Sequence, residues 1–255
     1  MIHFKLKHVL GVVLGIGTGV MAGLFLGASD ATATTGPLQQ STLEDIAEQL
    51  QVGDVVFTRI KVRPFLKVAA ATGSWTNHVG IVTDISGSEP QISESTFPLS
   101  RTTPLSKFVA RSESGRVAVA RLKTEISPEQ QTGIRQAAKK RSGILYDTGF
   151  NLHSSRQFCS RFVREVLAES TGVHVGKVEN FATLLAQRPD TDLGFWKLWY
   201  FGRIPWQRET VTPASILNSP ALQIVFDGRA HTPTAEEVRK AVPPYPAKFE
   251  WNPHG

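Results

Sequence analysis

The chain carries a single cysteine, Cys159, preceded by Ser154-Ser155-Arg156-Gln157-Phe158 and followed by apolar residues at helical spacing, Phe162, Val163, Val166 and Leu167. A lone cysteine has no internal disulfide partner, so its chemistry is that of a thiol. The spacing predicts an amphipathic helix capped by Ser154 or Ser155 and stopped at Gly172, with Cys159 within the first turn. Unpaired N–H groups and the helix dipole favour an anion there, and the thiolate is the nucleophilic form of cysteine. Cysteine is also among the most buried residue types and packs as a small hydrophobe, so the helix alone leaves a structural role open.

A thiol nucleophile needs a base. His3 and His8 lie in a basic leader and His231 and His254 in a proline-rich tail, which leaves His78, His153 and His174 for a core site. His78 opens His78-Val79-Gly80-Ile81-Val82-Thr83, a predicted strand that follows the polar loop Thr72-Gly73-Ser74-Trp75-Thr76-Asn77. On a pleated strand His78, Gly80 and Val82 share one face, and Gly80 leaves space beside the imidazole for a backbone or a substrate. After the turn-forming Ser86 to Pro90, Gln91 to Pro98 is a second extended segment. Antiparallel pairing of the two would bring Glu94 next to His78. A thiol, an imidazole and a carboxylate are what a nucleophile, a general base and an orienting group require. Spacing alone leaves open a surface glutamate and a turn-side histidine. A zinc site on Cys159, His78 and His153 is a weaker alternative, since the chain has no CxxC and no HExxH.

The elements around these residues carry a resemblance. Gly53-Asp54-Val55-Val56-Phe57, then His78-Val79-Gly80-Ile81-Val82, Glu94-Ser95-Thr96-Phe97-Pro98, Tyr146-Asp147 and Phe158-Cys159-Ser160-Arg161-Phe162-Val163 follow in that order. Phe195-Trp196-Lys197-Leu198-Trp199 and Val211-Thr212-Pro213-Ala214-Ser215 extend the series. The pattern, over about residues 50 to 227, resembles the YiiX/YebB-like group of permuted papain-like cysteine hydrolases of the NlpC type, with the YebB branch nearest. The resemblance implies an α+β fold, a mostly antiparallel sheet packed against helices, with His78 and Glu94 preceding the cysteine in the chain. It also implies that Cys159 is the nucleophile, His78 the base and Glu94 the residue that holds the imidazole.

Composition suits one such domain. Of 255 residues, 41% are hydrophobic, enough for a single core. The net charge of +6, from 28 Lys and Arg against 22 Asp and Glu, is scattered without a basic stripe, so no nucleic-acid partner is expected. Residues 1–28 read as a signal peptide or transmembrane anchor: Lys5 and Lys7 precede Val9 to Ala28, a run without charge. Ala31-Thr32-Ala33 resembles a cleavage site, whereas Gly11, Gly15, Gly19, Gly23 and Gly27 form a ridge suited to close helix packing and self-association. A retained anchor in an inner membrane is the favoured expectation, and cleavage would release a periplasmic or secreted protein. Either way the catalytic domain is expected in the cell envelope.

Residues 29–48 are expected to be a linker and a short helix with a Ser41-Thr42-Leu43-Glu44 capping box, 49–227 the catalytic domain, and 228–255 a proline-rich mobile tail. Strands are predicted at Val55 to Phe57, Val79 to Thr83, Gln91 to Thr96 and Val117 to Leu122, and helices at Phe65 to Ala71 and from Ser127-Pro128 to Arg141. The aromatic segment from Phe195 to Trp206, which carries Lys197 and Arg203, is read as a packed flap or pocket wall, with a membrane-interface role as the alternative.

The expected activity is hydrolysis of an amide or ester in an envelope peptide, without cofactor or metal. Tyr146, Gln157, Trp75 and Asn77 are expected to bind substrate. The alternatives are an acyltransferase or thioesterase acting on an acyl lipid, and a membrane-tethered binding module without catalysis.

Overall fold

The computed structural model describes residues 38–231. The leader with its glycine ridge, the cleavage site, the linker as far as residue 37 and the tail from residue 232 lie outside the described residues. No helix among the described residues is long and apolar enough to cross a membrane.

In chain order the elements are β1 (Gln39–Thr42), α1 (Leu43–Gln49), β2 (Val55–Ile60), α2 (Arg63–Thr72), β3 (His78–Asp84), β4 (Gln91–Glu94), β5 (Arg101–Pro104), α3 (Leu105–Ala110) and β6 (Ser112–Leu122). They continue with α4 (Pro128–Lys140), α5 (Cys159–Thr171), β7 (Val178–Asn180), α6 (Phe181–Ala186), α7 (Leu193–Trp199), β8 (Glu209–Val211), α8 (Pro213–Leu217) and β9 (Leu222–His231). Seven strands form one sheet in the order β1-β9-β6-β2-β3-β4-β5, while β7 and β8 form a separate pair. Every pairing is antiparallel except β1 with β9. The architecture is the expected mixed α+β one.

The strands are apolar on both faces because both are covered. The period of two sends Val55 and Phe57 of β2 into a core with Phe158, Phe162, Val163 and Val166, and Val56 into a second core with Ile46, Leu105 and Phe108. The α5 helix lies along β3 and packs against α4, which begins with Pro128 after Ser127 as anticipated and is closed at that end by a Ser127/Gln130 capping box.

Three expectations move. Thr42 rather than Ser41 caps α1, in a reciprocal box with Asp45. Residues 39–48 are part of the sheet domain: β1 runs parallel to β9, with Gln39 opposite Gly228, and Ile46 is buried. The sheet therefore also extends past residue 227 to His231. The polar edge strand Gln39-Gln40-Ser41-Thr42 has no apolar alternation to betray it. Gly80 does not open onto space beside the imidazole: a Cβ there would stand 2.5 Å from Ile92 Cγ2 and 3.0 Å from Phe108 Cε2. Gly80→Ala is expected to lower unfolding free energy by about 1–3 kcal/mol through overpacking, as read by urea denaturation.

Candidate active site

The α5 helix begins at Cys159 itself. Its N-cap is Phe158, in extended conformation and without a side-chain cap. Ser154 and Ser155 do not cap it, and Ser154 Oγ instead accepts from Arg156 N at 3.0 Å. The cause lies upstream, where Gln157 N donates to Leu145 O at 3.0 Å and Asp147 N to Gln157 O at 2.6 Å. Pinned in this way, the chain enters the helix from an extended segment, and the thiol occupies the first helical position. Gly172 closes the helix in the left-handed conformation at φ 75°. Ser160 points elsewhere, donating to Val211 O at 2.7 Å.

Antiparallel pairing of β3 with β4 sets Ile81 opposite Ser93 and Val82 opposite Ile92, so Glu94 falls near the start of β3. His78 and Glu94 have no solvent exposure, and His78 Nε2 lies 2.6 Å from Glu94 Oε2. The imidazole is wedged between Phe65, edge-on at 6.1 Å, and Phe108 at 5.5 Å. Its Nδ1 and the Tyr146 hydroxyl are buried without a hydrogen-bond partner of ordinary geometry. The Cys159 thiol acts on both, more strongly in each case than the Glu94 carboxylate. Cys159, His78 and Glu94, from three separate segments, are thus brought together.

Glu94 is held by more than the histidine. Thr103 Oγ1 donates to Oε1 at 2.7 Å, and one Arg111 terminal nitrogen donates to Oε1 at 2.8 Å and to Oε2 at 2.9 Å. Arg101 Nε stands 3.7 Å from Oε1. Burial works to raise the carboxyl, but the His78 hydrogen bond and charge, with Arg111 and Thr103, bring it down to about 2. Burial likewise works against the imidazolium, yet hydrogen bonds and charges from Cys159 and Glu94 push His78 up to about 9. Burial and the neighbouring Cys159 keep the Tyr146 phenol protonated, well above its ordinary value. Sequence reasoning missed Arg111 and Thr103. An arginine just past a short helix and a threonine on an edge strand carry no local signal of a shared carboxylate.

A cavity enclosing about 640 Å³ of empty space, its open mouth included, adjoins the thiol. Its wall is mostly apolar, with Phe65, Phe150, Phe158, Leu184, Trp196 and Ile204 prominent, and bears no charged side chain. Of the expected substrate-binding residues, Tyr146 and Asn77 line it. The Asn77 amide is itself engaged with both backbone groups of Ile60, accepting at 2.8 Å and donating at 3.1 Å. Gln157 and Trp75 do not line it. Gln157 Nε2 donates to Glu165 at 3.0 Å, and Trp75 stacks beneath the Arg116 guanidinium at 3.8 Å. The aromatic segment packs as a flap: Trp196 and Tyr200 form part of the cavity wall, while Trp199 Nε1 donates to Thr148 O at 2.9 Å.

His153 stands apart from Cys159. Its ring is exposed and 2.7 Å from Glu209 on the protein surface, so the trio considered for zinc does not assemble. Among the described residues no group of three or more His, Cys, Asp or Glu side chains is arranged to hold a metal ion.

With this geometry in view, the likenesses to known proteins become informative. The sequence is 29% identical over 179 residues to the uncharacterized protein YiiX of Escherichia coli K12, covering 70% of this chain and 87% of that one. The fold matches a crystal structure described as the metalloprotein yiiX from Escherichia coli O157:H7, with a TM-score of 0.63 and 27% identity, over 72% of this chain and 99% of that one. Residues 49–226 match the family described as permuted papain-like amidase enzymes, YaeF/YiiX, so the chain belongs to the permuted papain-like amidases.

Proposed function

We propose that the chain hydrolyses an amide or ester through Cys159, His78 and Glu94, and that its substrate presents an apolar acyl group to the cavity beside the thiol. The observation that carries the reading is a fully buried imidazole, held by Glu94 at 2.6 Å through one ring nitrogen and acted on by the Cys159 thiol at a helix start. His78 takes the Cys159 proton, and its elevated pKa keeps the imidazolium intact near neutral pH. The thiolate attacks the carbonyl carbon. The oxyanion so formed is met by the Cys159 N–H at the uncapped helix start and by the Tyr146 hydroxyl, whose phenol stays protonated. The imidazolium then protonates the leaving nitrogen or oxygen as the carbonyl re-forms, giving a thioester. Neutral His78 takes a proton from water, which attacks the thioester and releases the acid and the thiol.

An envelope peptide remains one substrate class, entering with an apolar side chain. The acyl-lipid alternative is favoured by a specific observation, a cavity wall without a charged side chain. The lysines ahead of the apolar leader support export of the domain into the cell envelope, anchored or released. The description of the relative as a metalloprotein is matched by no ligand set among the described residues, and no step above depends on a metal.

A series of 4-nitrophenyl esters of increasing acyl length tests the substrate side. Each added methylene is expected to raise kcat/KM by about fourfold, its burial being worth about 0.8 kcal/mol, until the cavity is filled. A flat series with measurable turnover would remove the acyl reading and leave the hydrolase.

A further inference from the structure

The flap that walls the cavity turns a different face outward. Leu198 is 80% exposed and Phe201 is 96% exposed, with Trp206 at 43% beyond them. Phe201 holds a left-handed backbone at φ 51°, a conformation that disfavours a bulky side chain, and its ring gains almost no cover from the rest of the molecule. The tip is flanked by exposed Lys197 and Arg203, neither of which forms an ion pair among the described residues. Arg63 adds a third exposed cation, with its guanidinium 5.8 Å from the Phe195 ring centre. The nearby Asp192 is already paired with Lys67 at 2.6 Å, which leaves Asp190 as the exposed acid of this region.

We infer that this tip, centred on Leu198 and Phe201, docks onto the headgroup layer of a bilayer containing anionic phospholipid. Large apolar side chains held out into water beside unpaired cations are the chemistry of an interfacial anchor: rings and aliphatic groups enter the acyl boundary while the cations meet lipid phosphates. The tip is continuous with the cavity, since Trp196 and Tyr200 face inward from the same short segment that turns Leu198 and Phe201 outward. Docking would therefore hold the cavity wall at the surface where acyl lipids reside. The inference is independent of hydrolysis, and its test uses a chain without the thiol, so either can fail alone.

The test uses the full chain with Cys159→Ser and a single spin label, at Phe201→Cys or, as a control in the β3–β4 turn, at Ser88→Cys. The labelled chains are reconstituted with vesicles of phosphatidylcholine alone or mixed with phosphatidylglycerol. Because the leader can hold the chain to either vesicle, the readout is label depth, taken from collisions with oxygen and with a water-soluble nickel complex. On the anionic vesicles the label at 201 is expected to collide more with oxygen than with nickel, and the label at 88 the reverse. Lys197→Gln and Arg203→Gln are each expected to lower the immersed fraction's binding constant by about fivefold. A label at 201 as open to nickel as the one at 88 overturns the proposal and leaves the patch to a protein partner. Equal immersion on phosphatidylcholine alone overturns its anionic-lipid specificity. Positions 88, 197, 201 and 203 are exposed, and Cys159→Ser exchanges one buried atom for a smaller one, so the variants leave the core packing in place.

Discussion

Cys159→Ala is expected to lower kcat/KM by at least roughly 10⁴-fold, because nothing beside it replaces the nucleophile. The one neighbouring hydroxyl in the helix, Ser160, is turned away and bonded to Val211 O at 2.7 Å. His78→Ala is expected to cost about 10²–10⁴-fold, since it removes both the base that forms the thiolate and the acid that expels the leaving group. The measurement is turnover alongside covalent labelling by amide, ester and thioester electrophiles, with adducts located by mass spectrometry. Labelling of folded His78→Ala at the wild-type rate would sink the proposed triad and return Cys159 to a structural role. The same probes separate the enzyme from a silent binding module, which would leave the thiol unmodified.

The second large effect belongs to Glu94. In the folded chain His78 stands at about 9 against an ordinary 6.5, so its stabilisation is fully present below about 6.5 and is lost as pH rises through about 9. Glu94 stands at about 2 against an ordinary 4.5, so its share is present above about 4.5 and is lost as pH falls through about 2. Wild-type turnover should therefore decline on the alkaline side near pH 9, where the imidazolium that protonates the leaving group disappears. Glu94→Gln keeps a hydrogen bond to the ring but removes the charge, so that limb should move to lower pH with partial activity retained. Arg111→Gln should move it the other way, to higher pH, because a cation near the imidazolium is removed while Glu94 keeps its charge through the His78 and Thr103 contacts. Glu94→Ala strands the His78 and Arg111 cations beside a void and is expected to cost about 3–5 kcal/mol of stability near neutral pH. Denaturation and pH–rate profiles run on the same variants decide the matter; an unmoved alkaline limb in Glu94→Gln would dissociate Glu94 from the histidine.

Local patterns account for much of the fold's legibility. Helix α4 declares itself through Ser127, Pro128 and Gln130, and α5 through its apolar spacing and Gly172, because caps and amphipathic faces depend on neighbours within a few residues. The β2 and β3 strands are legible as apolar runs. By contrast β1, β5 and β8 are short and partly polar, β1 and β5 at the sheet edges and β8 paired with the three-residue β7. Their existence depends on a distant partner strand, so no local pattern reports them. The same limit hides the parallel pairing of β1 with β9, which sets Gln39 opposite Gly228.

The sequence by itself determined which groups are available: one thiol, few histidines in a core setting, a glutamate on the next extended segment, and the helix that begins beside the thiol. It also carried enough ordered motif to indicate the family. The tertiary structure decided what those groups meet. It closed Gly80 with Ile92 and Phe108, turned Gln157 and Trp75 away from the cavity, moved His153 to the surface beside Glu209, and brought Arg111 and Thr103 onto Glu94. The physical reason is that hydrogen bonding and burial act through space over a few ångströms, whereas sequence records only order along the chain. A site whose electrostatics depend on contacts between Glu94 and Arg111, 17 positions apart, or between His78 and Cys159 across the fold, exists only once the sheet has set its register and the helix has docked on it.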